Sequence, residues 1–599
     1  MKKLLMGNEV IGLAAIRAGV NLVCGYPGTP STEVLETVAK NNKDHRIHVQ
    51  WSVNEKVAME VGAGAAYAGA RVMVTMKQVG LNVASDPLMS LAYIGVKGGM
   101  IVLVADDPGP ISSQTEQDTR RFAQFAKIPV FDPSSPQEAY DMVAEAFRLS
   151  EEKKIPVFLR PTTRICHACA TVEIADQWET HPIEGFQKDP KWVIFPRLSY
   201  QNHLRLDGIE RDLSWSISPF NRISGTGRKG IVSSGICCSY VKEALDSIGE
   251  TAEEIKQFQV GMPYPFPKNT AKDFLSGLDE ILVMEELDSV LEDALAPLCK
   301  ERGIKIHGRR DSFTNIAGEY SAELAEQWIR ELLQRETPES QEQEDLPELP
   351  VRPPVLCAGC PHRASFYSVK QAMKGQKAVF SGDIGCYTLG NAKPLDMVDT
   401  CLCMGACITI AQGIHNVEPD TKNFAFVGDS TFFHTGIPGI INAVYNETDI
   451  TVIVLDNSTT AMTGHQPHPG TGRTMMGEVT EKVDIEAVLK GCGVKYVATA
   501  NPLDLKNAIK AVQEAADFKG VSAVIFRSPC IALFPPQKQF RVETEKCIGC
   551  KQCIRENGCP AIAVRAEKVE IDVSLCHGCG LCAQICPAKA IGGVTDETV

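Results

Sequence analysis

Between residues 547 and 586, eight cysteines fall into two runs, Cys547-x2-Cys550-x2-Cys553-x5-Cys559-Pro560 and Cys576-x2-Cys579-x2-Cys582-x3-Cys586-Pro587. A segment like this has to fold around its thiolates. Zinc ribbons set two short CxxC knuckles across a longer gap, and triple Cys-x2-Cys-x2-Cys runs closed by Cys-Pro match that layout poorly. The spacing suits two iron-sulfur clusters and therefore a chain that passes electrons singly. The first run differs from the second in placing five residues, not three, before its last cysteine. The two runs are also the only clear internal repeat in the sequence.

At 599 residues the chain exceeds one hydrophobic core, and its length suggests about four domains. Sixty Lys plus Arg against 74 Asp plus Glu leave a net charge of −14, an acidic balance that disfavours nucleic acid as a partner. Twenty-two cysteines in so large a chain point to metal or redox use in a reducing compartment rather than to a disulfide scaffold. Lys2-Lys3-Leu4-Leu5 resembles a signal start, but Asn8, Glu9 and Arg17 interrupt its apolar core. No apolar run is long enough to span a membrane. A soluble, cytoplasmic protein is expected, with an anaerobic or low-oxygen cell suiting its thiols.

Short β-rich runs at 21–24, 72–76, 100–104 and 156–159 alternate with helical patterns, which predicts a parallel sheet covered by helices. The alternation recurs on a smaller scale between 229 and 310, with strands at 230–232 and 280–284 and a helix over 288–301. Residues 336–350 hold six acidic residues, three prolines and no base, a composition that reads as a solvated linker. A third α/β unit follows, with strands near 377–382, 423–428, 449–456 and 522–527.

In that third unit the strand Phe424-Ala425-Phe426-Val427 runs into Gly428-Asp429-Ser430, and Val452-Ile453-Val454-Leu455 runs into Asp456-Asn457. Ligands of open parallel sheets sit beyond the carboxyl ends of the strands, so oxygen-bearing side chains there can share one hard cation. The pattern resembles thiamine diphosphate enzymes, whose motif is Gly-Asp-Gly followed further on by Asn, with Ser430 here replacing the last glycine. By that resemblance Asp429 and Asn457 are side-chain ligands of magnesium and Thr459 supplies a backbone carbonyl. Gly428 and Gly405 then let the main chain approach the diphosphate.

Upstream, Tyr26-Pro27-Gly28-Thr29-Pro30-Ser31 matches the Tyr-Pro-x-Thr-Pro motif of 2-oxoacid:ferredoxin oxidoreductases. Trp51-Ser52-Val53-Asn54-Glu55, with the small-residue stretch Gly62 to Ala70 behind it, resembles their pyrimidine-binding domain. The resemblance implies that Glu55 drives the aminopyrimidine into its imino form, that Thr29 faces the 2-oxoacid, and that Arg120 (with Arg121 in reserve) binds its carboxylate. Pyruvate-specific relatives commonly carry Asn where this chain has Met462, and a flexible thioether there suits a bulky aromatic substrate.

The implied fold class is multidomain α/β, with thiamine-diphosphate-binding parallel-sheet domains and a C-terminal two-cluster α+β domain resembling bacterial ferredoxins. Its expected limits are 1–185 for the pyrimidine domain, 226–335 for a smaller domain like the transketolase C-terminal domain, 336–353 for the acidic linker, 354–538 for the diphosphate and magnesium domain, and 539–599 for the ferredoxin. This order resembles the large subunits of indolepyruvate:ferredoxin oxidoreductases.

In ferredoxins the fourth cysteine of each run serves the other cluster, which assigns Cys547, Cys550, Cys553 and Cys586 to one 4Fe-4S cluster and Cys576, Cys579, Cys582 and Cys559 to the second. Cys357, Cys360, Cys386 and Cys530 resemble the ligands of a third cluster near the thiamine. The expected reaction is oxidative decarboxylation of arylpyruvates with coenzyme A to aryl-acetyl-CoA, with electrons leaving to ferredoxin, in a heterotetramer with a smaller beta subunit. The alternatives are the same chemistry on pyruvate or a branched-chain acid, or an electron-transfer subunit without a thiamine site of its own.

Overall fold

Apolar runs alternating with helical patterns become the strands of three parallel-based sheets. The structure, a computed structural model, describes residues 1–176, 178–249, 255–336, 349–565 and 568–593. Two compact units divide the chain, Met1–Leu346 and Pro347–Val599. Of the acidic linker expected at 336–353, residues 337–348 lie outside the described residues.

In the first unit a six-stranded, wholly parallel sheet orders His48–Trp51, Leu22–Gly25, Val72–Lys77, Met100–Ala105, Val157–Leu159 and Val130–Phe131. Helices cover its central strands on both faces, which is why those strands read as unbroken apolar runs. Helix Glu55–Tyr67 starts at Asn54, whose side chain accepts the Val57 N–H at 2.8 Å. Its glycines and alanines allow close approach to the sheet: a Cβ on Gly62 would stand 2.7 Å from Val74 Cγ2. The two strands absent from the sequence reading, His48–Trp51 and Val130–Phe131, are the sheet's edges, one partly polar and the other two residues long.

A second sheet in the same unit runs Lys305–His307, Glu280–Met284, Lys229–Ser233 and Ile255–Val260 in parallel, with Asn221–Ser224 antiparallel at its edge and upstream of residue 226. The expected helix forms at Val290–Arg302.

In the second unit the parallel sheet is Ala378–Ser381, Lys422–Gly428, Thr451–Asp456, Ser522–Arg527 and Tyr496–Ala500. The first four match the expected strands. Tyr496–Ala500 is an edge strand with no fully buried residue, so it lacks the apolar signal. Phe366 on helix Pro361–Ala372 packs against Phe426 with ring centroids 4.7 Å apart, fixing that helix over the sheet. The C-terminal segment pairs Phe540–Val542 with Ile591–Gly593 and Ile562–Arg565 with Lys568–Ile571, both antiparallel, around the short helices Gln552–Arg555 and Leu581–Ile585. Among the described residues no helix is long and apolar enough to cross a membrane.

Candidate active site and electron relay

Strands Lys422–Gly428 and Thr451–Asp456 are adjacent and parallel, so Asp429 and Asn457 emerge side by side at one sheet edge. Asp429 is fully buried. Its Oδ2 accepts N–H groups from Asn457 at 3.1 Å and Ser458 at 2.8 Å, and Oδ1 accepts that of Ser430 at 2.9 Å. Ser458 holds a left-handed φ of 62°, a conformation uncommon outside glycine that turns successive N–H groups toward one acceptor. Burial pushes the Asp429 carboxyl up, but His468, with Nε2 3.2 Å from Oδ2, and these hydrogen bonds bring it below its ordinary value. Asn457 is buried, donates from Nδ2 to His362 Nε2 at 3.0 Å, and accepts the Thr459 N–H at 3.2 Å. Burial lowers the His362 imidazole to about 4, so this ring is neutral at pH 7.

Both glycines expected to face the diphosphate are fastened by one buried carboxylate. Asp383 accepts the N–H of Gly405 at 3.0 Å and that of Gly428 at 3.1 Å. Gly405 has φ +77°, and a Cβ there would meet Thr435 Oγ1 at 2.5 Å; a Cβ on Gly428 would collide with the Tyr387 ring. The buried Asp429 carboxylate and the adjacent Asn457 amide are oxygen donors of the kind a hard cation takes, while the two glycines make room for Thr435 and the Tyr387 ring.

Cys357, Cys360, Cys386 and Cys530 line one cavity of about 350 Å³, together with His362 and Asn457. The sequence brings these four from a loop, a helix start, a 3-10 turn and the end of the last central strand. In the ferredoxin-like segment Cys547, Cys550, Cys553 and Cys586 surround one small cavity, and Cys553 feels the charge of the other three. Cys582 likewise neighbours Cys559, Cys576 and Cys579. The crossed grouping comes from the antiparallel closure of the segment. Among the described residues, no three His, Cys, Asp or Glu side chains are gathered tightly enough to hold a single metal ion.

In the first unit Glu55 is buried at the start of its helix, and a Cβ on Gly80 would stand 2.5 Å from its Oε1. Thr29 is half-buried, with its carbonyl accepting the Ser112 hydroxyl at 3.2 Å. The cation beside these residues is Lys77, which donates to the Ser112 carbonyl at 3.1 Å and is lowered by burial against the pull of Asp107 and Glu55.

Arg120 corrects the sequence reading. It is buried, pairs with Asp118 at 2.6 Å and Glu285 at 3.0 Å, and donates to the Glu286 and Asp288 carbonyls and to Ser234. Its donors are spent tying the first sheet's helix to the second sheet, which leaves none for a substrate carboxylate. Arg121 pairs with Asp293 across the same junction. Met462 is 53% exposed and so takes no part in the core.

Three family models match in series. Residues 13–203 match the thiamine-diphosphate-binding domain of pyruvate flavodoxin/ferredoxin oxidoreductases, 383–526 the C-terminal thiamine pyrophosphate binding domain of thiamine pyrophosphate enzymes, and 539–587 a 4Fe-4S dicluster domain. Indolepyruvate oxidoreductase subunit IorA of Methanothermobacter marburgensis is 41% identical over 98% of this chain and 96% of its own length. The chain belongs to the IorA family. The IorA subunit of Thermococcus kodakarensis is 40% identical over 98% of this chain and 96% of its own. Among solved structures, a 2-oxoglutarate:ferredoxin oxidoreductase from Magnetococcus marinus aligns with 55% of this chain and 65% of its own at a TM-score of 0.44 and 16% identity. As the family models require, the chain is multidomain α/β with thiamine-binding parallel-sheet domains and a C-terminal iron-sulfur domain.

Within this family member, His362, Asp383 and His468 are site residues that the sequence reading missed. His362 stands two residues after Cys360, and Asp383 three before Cys386, so proximity to the cysteine pattern was their only signal. His468 has none: a loop carries it back to Asp429.

Proposed function

We propose that this chain is the large subunit of an indolepyruvate:ferredoxin oxidoreductase, catalysing oxidative decarboxylation of arylpyruvates with coenzyme A and passing electrons to ferredoxin. The observation that carries the reading is near-full-length identity to IorA subunits, in a chain whose four upstream cysteines share a cavity with His362 and Asn457. Asp429, Asn457 and the Thr459 carbonyl hold magnesium. When bound, thiamine diphosphate supplies the carbon nucleophile and electron sink for decarboxylation.

Glu55 holds the proton exchanged with the aminopyrimidine nitrogen, and Thr29 orients the 2-oxoacid through its hydroxyl. Met462, half exposed in the loop after the magnesium ligands, offers an adaptable apolar contact to an aromatic side chain. Cys357, Cys360, Cys386 and Cys530 would hold a proximal 4Fe-4S cluster, which would supply a one-electron acceptor ahead of the two clusters of the C-terminal segment. A smaller beta subunit completes a heterotetramer in the cytoplasm.

The test is the complete complex, assayed anaerobically with a viologen acceptor on indolepyruvate, phenylpyruvate and pyruvate. The aryl substrates are expected to give the higher kcat/KM; a preference for pyruvate rejects the aryl assignment.

A further inference from the structure

The longer gap before Cys559 has a tertiary role. Its last two residues, Asn557 and Gly558, present their carbonyls to Arg363 Nη1 at 2.8 and 2.9 Å, while Nη2 of the same guanidinium donates to Leu356 O at 2.6 Å. Gly558 turns there with φ +58°, tight against Pro394. Arg363 thus joins the residue before Cys357 to the residue before Cys559, so one side chain bridges the proximal cysteine group and the ferredoxin-like segment.

This guanidinium is 4% exposed and, among the described residues, faces backbone carbonyls with no paired carboxylate, while its Nε has no acceptor. A buried cation without a counter-ion is costly. Four thiolates outweigh the positive charge of a four-iron core, so a cluster on either side supplies the missing negative charge. The guanidinium's hydrogen bonds end on Leu356 and Gly558, the residues next to Cys357 and Cys559, so its charge lies beside one ligand of each group. The two cages also touch directly: His577, next to Cys576, lines the proximal cavity, and a Cβ on Gly359 would stand 2.6 Å from His577 Cβ.

We propose that Arg363 is a positioning residue that clamps the cluster held by Cys559, Cys576, Cys579 and Cys582 against the proximal cluster, and that its fixed charge raises the reduction potentials of both. The step it serves moves one electron from the reduced proximal cluster to the oxidised neighbour, with no bond made or broken. The proposal rests on the proximal cluster assigned above.

The experiment is an anaerobic redox titration of the complete complex, followed by electron paramagnetic resonance, with wild type, Arg363→Gln and Arg363→Lys. The Gln variant is expected to raise the oxidised-to-reduced ratio of both clusters at least tenfold at a fixed solution potential, a shift of about 59 mV for a one-electron couple. The cluster held by Cys547, Cys550, Cys553 and Cys586 should keep its midpoint, and the Lys variant should restore the other two. Unmoved midpoints in the Gln variant, or equal shifts in all three clusters, overturn the proposal. If the Gln variant loses iron, Asn557→Asp, which adds a negative charge at almost unchanged volume on a buried residue whose carbonyl Arg363 holds, must lower the same two midpoints, and unmoved midpoints there overturn it equally. About eight irons in the wild-type chain remove the proximal cluster and this proposal with it; about twelve with unmoved midpoints reject the role of Arg363 alone.

Discussion

At the residue scale two buried carboxylates carry different expectations, Asp429 to hold a cation and Glu55 to move a proton. Asp429 receives three backbone N–H groups and has His468 at 3.2 Å, so its carboxylate is held in one orientation. Asp429→Asn keeps the shape but loses the charge. Thiamine retained through gel filtration should fall at least tenfold while iron content stays at the wild-type level; unchanged thiamine would leave the metal role of Asp429 without support. Glu55 stands at a helix start, where a glutamate is favoured by the dipole alone. If it moves the proton, Glu55→Gln lowers kcat by about 10²- to 10⁴-fold with thiamine and iron still bound. A loss below tenfold in 2-oxoacid-dependent viologen reduction leaves Glu55 with only its favourable place at the helix start. The motifs around Glu55 and Asp429 were legible because each is local. His468 was not, because its partner lies 39 positions away and a loop of ordinary composition joins them.

At the element scale, close packing sets where side chains can point. Helix Gln78–Val83 brings Gly80 against Glu55, where a Cβ would press on Oε1 at 2.5 Å and Cγ at 2.8 Å. Gly80→Ala should therefore displace the carboxylate and cut kcat at least tenfold with little change in the thermal midpoint; wild-type kcat would show that the carboxylate position is not critical. In the second sheet's domain, burial pushes Glu286 up to about 7, only partly offset by the Tyr320 N–H it accepts at 2.9 Å. The fold favours the neutral acid, so the stability from Glu286 is complete below the ordinary carboxylate range and is lost as pH rises through about 7. Glu286→Gln should leave the thermal midpoint unchanged at pH 4 and raise it at pH 8, by up to about 3 kcal/mol of stability. Equal midpoints at pH 8 would refute the buried-acid assignment. Central strands such as Thr451–Asp456 were legible because burial on both faces makes them continuously apolar. Edge strands such as Tyr496–Ala500 carry no such signature.

At the scale of the whole molecule, three cysteine groups predict about twelve irons per chain by ligand count. Anaerobic iron and sulfide analysis of the complex, with its mass in solution, should give that number and a smaller partner subunit; about eight irons would remove the proximal cluster. The sequence by itself determined the family and the order of its thiamine-binding and iron-sulfur segments, because strand periodicity and cysteine spacing are properties of neighbouring residues. Only the tertiary structure decided that Arg120 is consumed between two sheets. It alone also decided that four cysteines from distant segments share a cavity with Asn457, and that the longer gap before Cys559 ends on Arg363. Those outcomes depend on which buried donors find acceptors when distant elements pack, and residue spacing carries no record of that competition.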